Sequence, residues 1–481
     1  MKKEKRFEIL GKMDDKSVNN AYELKKANRP AVMRWVAAAA CLVVLAGAAL
    51  GISSIFKKNN ADVSDETLGF KTFLAVYPGR TEDEMREGSF LDGKGDPKWA
   101  AGYQKRAAKS KPLQKELETY YSRIMEKLII SEEENTVCSP INTYIAFSML
   151  AEITDGNTRK QILDVLNARD IESLRENVSL LWKSNYADTE SIKCLLADSL
   201  WLRDNLSFNE DTLKTLSEKY YASSFIGKTG SKEMDEALRK WIDDNTGGLL
   251  KEYTKDIATD PDTVVELVST IYLKALWTDM FFSRNTKEET FHGSHGDTTV
   301  PMMHKSEMMG VYRSENFTSV GVPLWNSGAM HFLLPDEGVD VNSLVTDLEI
   351  FKALNYEDGD EKWSNPMVNL SVPKFKVSHK SDMYLTMKEL GMTDLFNKDV
   401  SDFTPLTTDT DGINVIKADH AAMIEIDENG VTGAAYTDIA AADGGIFPEE
   451  QIDLVFDRPF MFIVTGIDGS VLFTGIVRNI D

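Results

Sequence analysis

Histidine is scarce in this 481-residue chain, with six copies. The tightest grouping is His292-Gly-Ser-His295 with His304 a short way on, a spacing that could offer imidazoles to a metal. Two histidines in a polar stretch are more often simply solvated, so the expected metal content is none. The three cysteines give no zinc spacing and no disulfide framework: Cys41 lies in an apolar run, and Cys138 and Cys194 read as buried thiols. There is no G-x-S-x-G, no H-E-x-x-H, no phosphate-binding loop and no nucleophile–base spacing. The chain is therefore not expected to be an enzyme or to carry a cofactor.

What remains is a stretch built to be acted upon. Met423 to Phe460 reads MIEIDENGVTGAAYTDIAAADGGIFPEEQIDLVFDRPF. From Val431 it alternates, with Val431, Gly433, Ala435, Thr437, Ile439 and Ala441 on one face and Thr432, Ala434, Tyr436, Asp438, Ala440 and Ala442 on the other. Ala440-Ala-Ala-Asp-Gly-Gly445 is small and flexible, as in an exposed loop. A segment patterned as a strand and built as a loop could be both at different times. The plainer reading of this stretch alone is an alanine-rich hairpin connection. No proline lies between Gly430 and Ile446, and no Arg or Lys between Glu428 and Asp457.

The elements around it suggest an α+β fold. Helical patterns gather early, at Leu117–Ile130, Ile141–Ile153, Leu213–Tyr221 and Lys232–Asn245, with one more at Ser381–Leu390. Val264 to Leu276 is long, mostly apolar and β-branched, the pattern of a strand buried on both faces. Short strands dominate from Val300 onward, among them Val320–Leu324, His331–Leu334 and Val368–Val377. At the other end, residues 1–34 form a lysine-rich head. The uncharged run 35–56 spans roughly 33 Å as a helix, enough to cross a bilayer. The basic residues before it predict a single-pass anchor with the N-terminus inside and the rest outside; a cleaved signal, leaving a secreted protein, is the alternative. Residues 57–116 read as an extracellular spacer, with Pro112 interrupting any helix there, and 117–481 as the folded domain. The net charge of −23, from 54 basic and 77 acidic residues, argues against nucleic acid as a partner.

Several motifs, in order, carry a family resemblance over most of Leu117–Asp481. They are Ser139-Pro-Ile-Asn-Thr with Ala146-Phe-Ser-Met-Leu150; Trp241 with Thr246-Gly-Gly-Leu-Leu250; and Leu267-Val-Ser-Thr-Ile-Tyr-Leu-Lys-Ala-Leu-Trp277. Phe291 with Val300-Pro-Met-Met303, Val372-Pro-Lys-Phe375 and Leu390-Gly-Met-Thr-Asp-Leu-Phe396 follow. Glu428-Asn-Gly-Val-Thr-Gly-Ala-Ala435, then Phe456-Asp-Arg-Pro-Phe460 and Val471-Leu-Phe-Thr-Gly475, complete the set. Together they resemble the serpins, the serine protease inhibitor family, and in particular a membrane-anchored bacterial member.

The resemblance implies three β-sheets, about nine helices and an exposed reactive-centre loop. It also implies that family's mechanism: a protease attacks the loop, an acyl-enzyme forms, and the cut loop enters the central sheet with the protease trapped. Glu428, Gly430, Val431, Thr432, Gly433, Ala434 and Ala435 would be the hinge. Family members usually carry Thr or Ser at the position of Val431 and Ala at that of Gly433. By register the scissile bond would be Gly444–Gly445, with Ala442, Asp443 and Ile446 as alternatives. Trp277 would stand where the loop first enters the sheet. Ser139, Asn142, Ser269 and His420 would form a polar cluster under it, with Ser and Asn exchanged between the positions of Asn142 and Ser269, those two residues close neighbours, and the Asn142 amide bridging helix and strand toward His420. Partners would be serine proteases, with cysteine proteases as a second class, acting on a monomer. The alternative is a non-inhibitory serpin serving as a surface binding or structural module.

Overall fold

The computed structural model describes residues 70–77, 97–188, 192–255, 257–325, 327–356, 359–409, 412–415, 418–431 and 450–480. All of them belong to one compact unit, 61–481. The run 35–56, the hinge residues 432–435 and the predicted cleavage positions 442–446 lie outside the described residues. Among those described, no helix is long and apolar enough to cross a membrane.

The strands, in chain order, are β1 Lys71–Phe73, β2 Thr136–Cys138, β3 Ala187–Asp188, β4 Ile192–Arg203, β5 Ala222–Gly227, β6 Val265–Leu276, β7 Lys287–Gly293, β8 Gly296–Met308, β9 Val311–Arg313 and β10 Phe317–Pro323. They continue as β11 Ala329–Pro335, β12 Trp363–Ser364, β13 Met367–Pro373, β14 Phe375–Asp382, β15 Asp419–Ile426, β16 Gly430–Val431, β17 Gln451–Val455, β18 Phe460–Thr465 and β19 Val471–Val477. They make three sheets. The central sheet runs β1-β5-β4-β6-β16-β15-β14, with β3 on β4; the second runs β12-β9-β10-β11-β18-β19-β2; the third is β17-β13-β8-β7. Nine α-helices accompany them among the described residues: α1 Pro97–Leu128, α2 Pro140–Glu152, α3 Gly156–Val165, α4 Ile171–Asn185, α5 Glu210–Lys219, α6 Lys232–Asn245, α7 Lys251–Thr254, α8 Glu349–Ala353 and α9 Met383–Glu389.

Alternation assigns the two faces of the central sheet. Leu196, Leu200 and Leu202 of β4 and Ala422, Ile424 and Ile426 of β15 face the main core. Trp201, Val268, Ala421 and Met423 face the other way, onto Met234, Leu238 and Ile242 of α6. Helix α2 is apolar nearly all round, which suits an element enclosed between layers. Ser139 caps it, accepting from Asn142 N, and Pro140 supplies a first residue that needs no N–H partner.

Three expectations need correcting. The stretch read as a spacer is partly folded: β1 pairs with β5 at the sheet edge, and 97–116 belong to α1. Pro112 sits inside that helix without ending it. Burial on both sides of it holds the turn together: Ala107 and Ser110 before it, Leu113, Leu117 and Tyr121 after it. Ser110 is further tied to Ser184 of α4 (2.8 Å) and to the buried Asp468. Lastly, β6 is not buried on both faces throughout: much of 265–272 is half-exposed. Among the described residues nothing pairs with its β15-facing edge except Gly430–Val431.

Candidate functional site: a gap in the central sheet

Antiparallel pairing places Gly430 opposite Leu276 and Val431 opposite both Ala275 and Ile426. The strand that follows the turn after β15 thus starts to wedge between β6 and β15. These two strands are not paired with each other; each keeps its outer partner, β4 and β14. The approach is close enough to demand glycine: a Cβ at Gly430 would lie 2.1 Å from the Ala275 carbonyl oxygen. Val431 is fully buried.

A dense set of contacts fixes the turn. Asp427 accepts from the N–H groups of Asn429 (2.8 Å) and Gly430 (3.2 Å). The buried Trp277 donates its ring N–H to the Asp427 carbonyl (2.8 Å) and its backbone N–H to the Asn429 carbonyl (2.9 Å). Glu428 pairs with Lys374 (3.0 Å) and accepts from Thr286 Oγ1 (2.8 Å). Burial pushes its carboxyl up, but its own backbone N–H, Lys374 and Thr286 outweigh that and hold it below the usual range.

The far end of the same segment is anchored elsewhere. β17 runs parallel to β13 in the third sheet. Arg313 meets Glu450 at 2.9 Å, and Asn369 donates to Asp453 at 2.7 Å. Residues 432–449 therefore connect two fixed ends in different sheets.

Beneath the gap lies a polar cluster on the main-core face. The Ser139 N–H donates to His420 Nε2 (3.1 Å). Asn142 Nδ2 donates to the Ser269 carbonyl (3.0 Å), and the Ser269 hydroxyl donates to Asn142 Oδ1 (2.5 Å). Asn142 is thus buried, joined twice to Ser269 of β6 and turned away from solvent. The expected bridge of its amide from helix to strand is formed, to Ser269, but it does not reach on to His420: that ring is bound by the Ser139 backbone, and both polar ends of Asn142 are taken by Ser269. Burial, then the neighbouring His379, lowers the pKa of His420 to about 4, so the imidazole is neutral at ordinary pH.

The histidines considered for a metal are spread over other contacts. His292 pairs with Asp297 (2.8 Å). His304 Nδ1 meets Ser371 Oγ (2.8 Å), and Glu289 lies 3.1 Å from its Nε2 without hydrogen-bond alignment. Among the described residues no group of three or more His, Cys, Asp or Glu could hold a metal ion. Cys138 and Cys194 are buried free thiols, and burial pushes Cys194 up to about 12.

The model of the family described as Serpin (serine protease inhibitor) matches residues 118–480, three quarters of the chain. The chain belongs to the serpin family. A serine protease inhibitor of Cyanea capillata is 26% identical over 363 residues, covering 73% of this chain and 94% of that protein. Serpin-ZX of Arabidopsis thaliana is 27% identical over 364 residues, covering 72% and 93%. The native-state structure of the thermophilic serpin tengpin aligns with a TM-score of 0.67 at 23% identity, over 76% of this chain and 93% of that one, a likeness of fold.

Two parts of this serpin's site were missed in the sequence. Lys374 and Thr286, which hold Glu428, are far away in the chain, and no local pattern joins them. Asp198 lies on β4 directly across from Ser269 and is buried. Its signal was available: one acid inside Leu195-Leu-Ala-Asp-Ser-Leu-Trp201, an otherwise apolar strand.

Proposed function

We infer that this serpin is a suicide-substrate inhibitor of serine proteases outside the cell. The observation that most supports this is the wedge of Gly430 and Val431 between two strands whose facing edges have no other strand partner among the described residues. A cut within 432–449 would free the hinge side to continue as a strand while β17 stays on the third sheet. Each new residue would pair with the facing edges of β6 and β15, which have no other strand between them among the described residues.

The bond attacked is Gly444–Gly445, or one at Ala442, Asp443 or Ile446. With no Arg or Lys from 429 to 456, the targets are proteases with pockets for small or aliphatic residues, elastase-like or subtilisin-like, and cysteine proteases of similar preference are a second class. The protein acts as a monomer. Residues 35–56 hold it in the cell membrane with the inhibitory domain outside, or are removed to leave it secreted.

A protease panel tests this. An elastase-like or subtilisin-like enzyme should give an SDS-stable covalent complex and release a C-terminal peptide beginning between residues 443 and 447. Trypsin should give no stoichiometric complex. Clean cleavage without any complex would favour the non-inhibitory reading, a surface binding or structural module. Fractionation of cells producing the full chain tests the anchor: recovery in the soluble fraction with residues 35–56 intact would remove it.

A further inference from the structure

Asp198 stands at the end of the polar cluster and has no part in the reading above. It is 2% exposed, on the main-core face of β4, in direct register with Ser269 of β6 and Ala222 of β5. Its side chain faces Ser269 across the strand pair, while the Ser269 hydroxyl bonds to Asn142, and its Oδ1 has no partner among the described residues. The Ser269 hydroxyl has a single proton, and that proton points to Asn142 Oδ1. A carboxylate at Asp198 would have to compete for it. A carboxylic acid would not, because it donates its own proton to the Ser269 oxygen.

We propose that Asp198 is a neutral carboxylic acid that completes a one-way relay, Asp198 to Ser269 to Asn142, and that loss of its proton loosens β6 from α2 and eases opening of the sheet. This rests on the loop-insertion reading above. In the neutral relay every hydroxyl proton has one acceptor, and the unpartnered Oδ1 is a carbonyl oxygen. In the ionised form that oxygen would carry buried, unpaired charge. Burial accordingly outweighs the influence of the Ser269 hydroxyl and pushes the carboxyl up to about 7.

No charged side chain faces Asp198 from the elements packed on it, among the described residues that influence it. From β6 and α2 come Ser269 and Asn142; from β5, Ala222. From the segment 70–77 comes the Tyr77 phenol, pushed up by burial first, then by Tyr186 and by Asp198 itself. His420 on β15 lies at the other end of the cluster and is also neutral. The two titrate in opposite senses. The raised acid favours the closed cluster at low pH and loses that advantage as pH rises from about 4 to about 7. The lowered imidazole favours it at high pH and loses that as pH falls from about 6.5 to about 4. The parent's own pH profile mixes the two, so the informative quantity is the ratio of the parent to Asp198→Asn, whose amide donates to Ser269 but cannot ionise.

One equilibrium constant, one rate and one spectrum decide it. Urea-unfolding constants and the rate of uptake of a synthetic peptide copying residues 431–443 would be measured for both proteins from pH 4.5 to 8.5. The parent-to-variant ratio should rise about tenfold per pH unit and level off near pH 7. A ratio independent of pH in both measurements would overturn the proposal. If Asp198→Asn does not fold, infrared spectra of the parent and Ser269→Ala replace it. At pH 6 the parent should have a protonated-carboxyl band that shifts when the Ser269 oxygen is removed; no such shift would overturn the proposal. Neither readout needs an inhibited protease, so absence of a covalent complex would retire the inhibitory reading while a pH-independent ratio would retire only the proton.

Discussion

Asn142 and Ser269 test the cluster most directly, because each holds both ends of the other. Asn142→Ser removes the donor to the Ser269 carbonyl, and Ser269→Asn puts a second amide where a hydroxyl fits. Each single change should cost about 1–3 kcal/mol, the range for stranding a buried polar group. The double exchange restores one amide and one hydroxyl to the same space, so it should lie closer to the parent than the sum of the singles. Urea unfolding of the four proteins gives the coupling, and additive effects would mean the two bonds are independent. This pairing was legible in the sequence because the family motifs fixed the register of both positions. The partner of His420 was not, because it is a backbone N–H, and a donor present in every residue leaves no mark on residue type. His420 also yields a prediction with a definite sign. Its lowered pKa stabilises the fold above about pH 6.5, and that stability is lost as pH falls toward 4. His420→Asn should flatten the acid limb of a stability–pH curve, and an unchanged limb would assign it to other groups.

At the scale of elements, β16 is the informative piece, two residues long and already seated. Val431→Arg would place a charge where a buried valine now sits in register with Ala275 and Ile426, at a cost of several kcal/mol if unpaired. The loop could still be cut, so the variant should become a substrate that forms little covalent complex; complex formation at the parental yield would mean this position need not enter the sheet. The N-terminal side of the domain tells a second story. Lys71–Phe73 extends the central sheet, and Tyr77 stacks on Trp182 (5.1 Å between ring centres) and Tyr186 (5.6 Å). Each such ring pair is worth about 0.5–1.5 kcal/mol, so Tyr77→Ala should lower stability by at least that, read by thermal unfolding. None of this was legible. Three edge residues flanked by charge, Gly and Pro look like a linker, and only the β5 edge makes them a strand. The helices fared better where their punctuation was local: Ser231 and Gly247–Gly248 bracket α6 where the pattern put it. α1 was cut short because Pro112 reads as a stop, and tertiary burial overrode it.

The whole molecule is held between two incompatible satisfactions. Among the described residues, β6 and β15 present facing edges that only Gly430 and Val431 begin to fill, while β17 keeps the other end of the segment on the third sheet. Full entry of the intact segment would pull against β17, the Arg313–Glu450 pair and the Asn369–Asp453 bond. On the inhibitor reading, cutting within 432–449 would remove that opposition, and the freed strand would then bond to both edges. If roughly ten hydrogen bonds of about 1 kcal/mol each are gained, the folded state gains on the order of 10 kcal/mol. At about 2 °C per kcal/mol for a domain of this size, the thermal midpoint should rise by on the order of 20 °C. The measurement is a calorimetric scan before and after limited cleavage by an elastase-like protease, with the cleaved chain still associated. A clipped loop that merely hangs in solvent would leave the midpoint where it was, since no buried contact would change. That outcome would leave the gap between β6 and β15 without a strand to receive, and the binding-module reading would then fit better than the inhibitor.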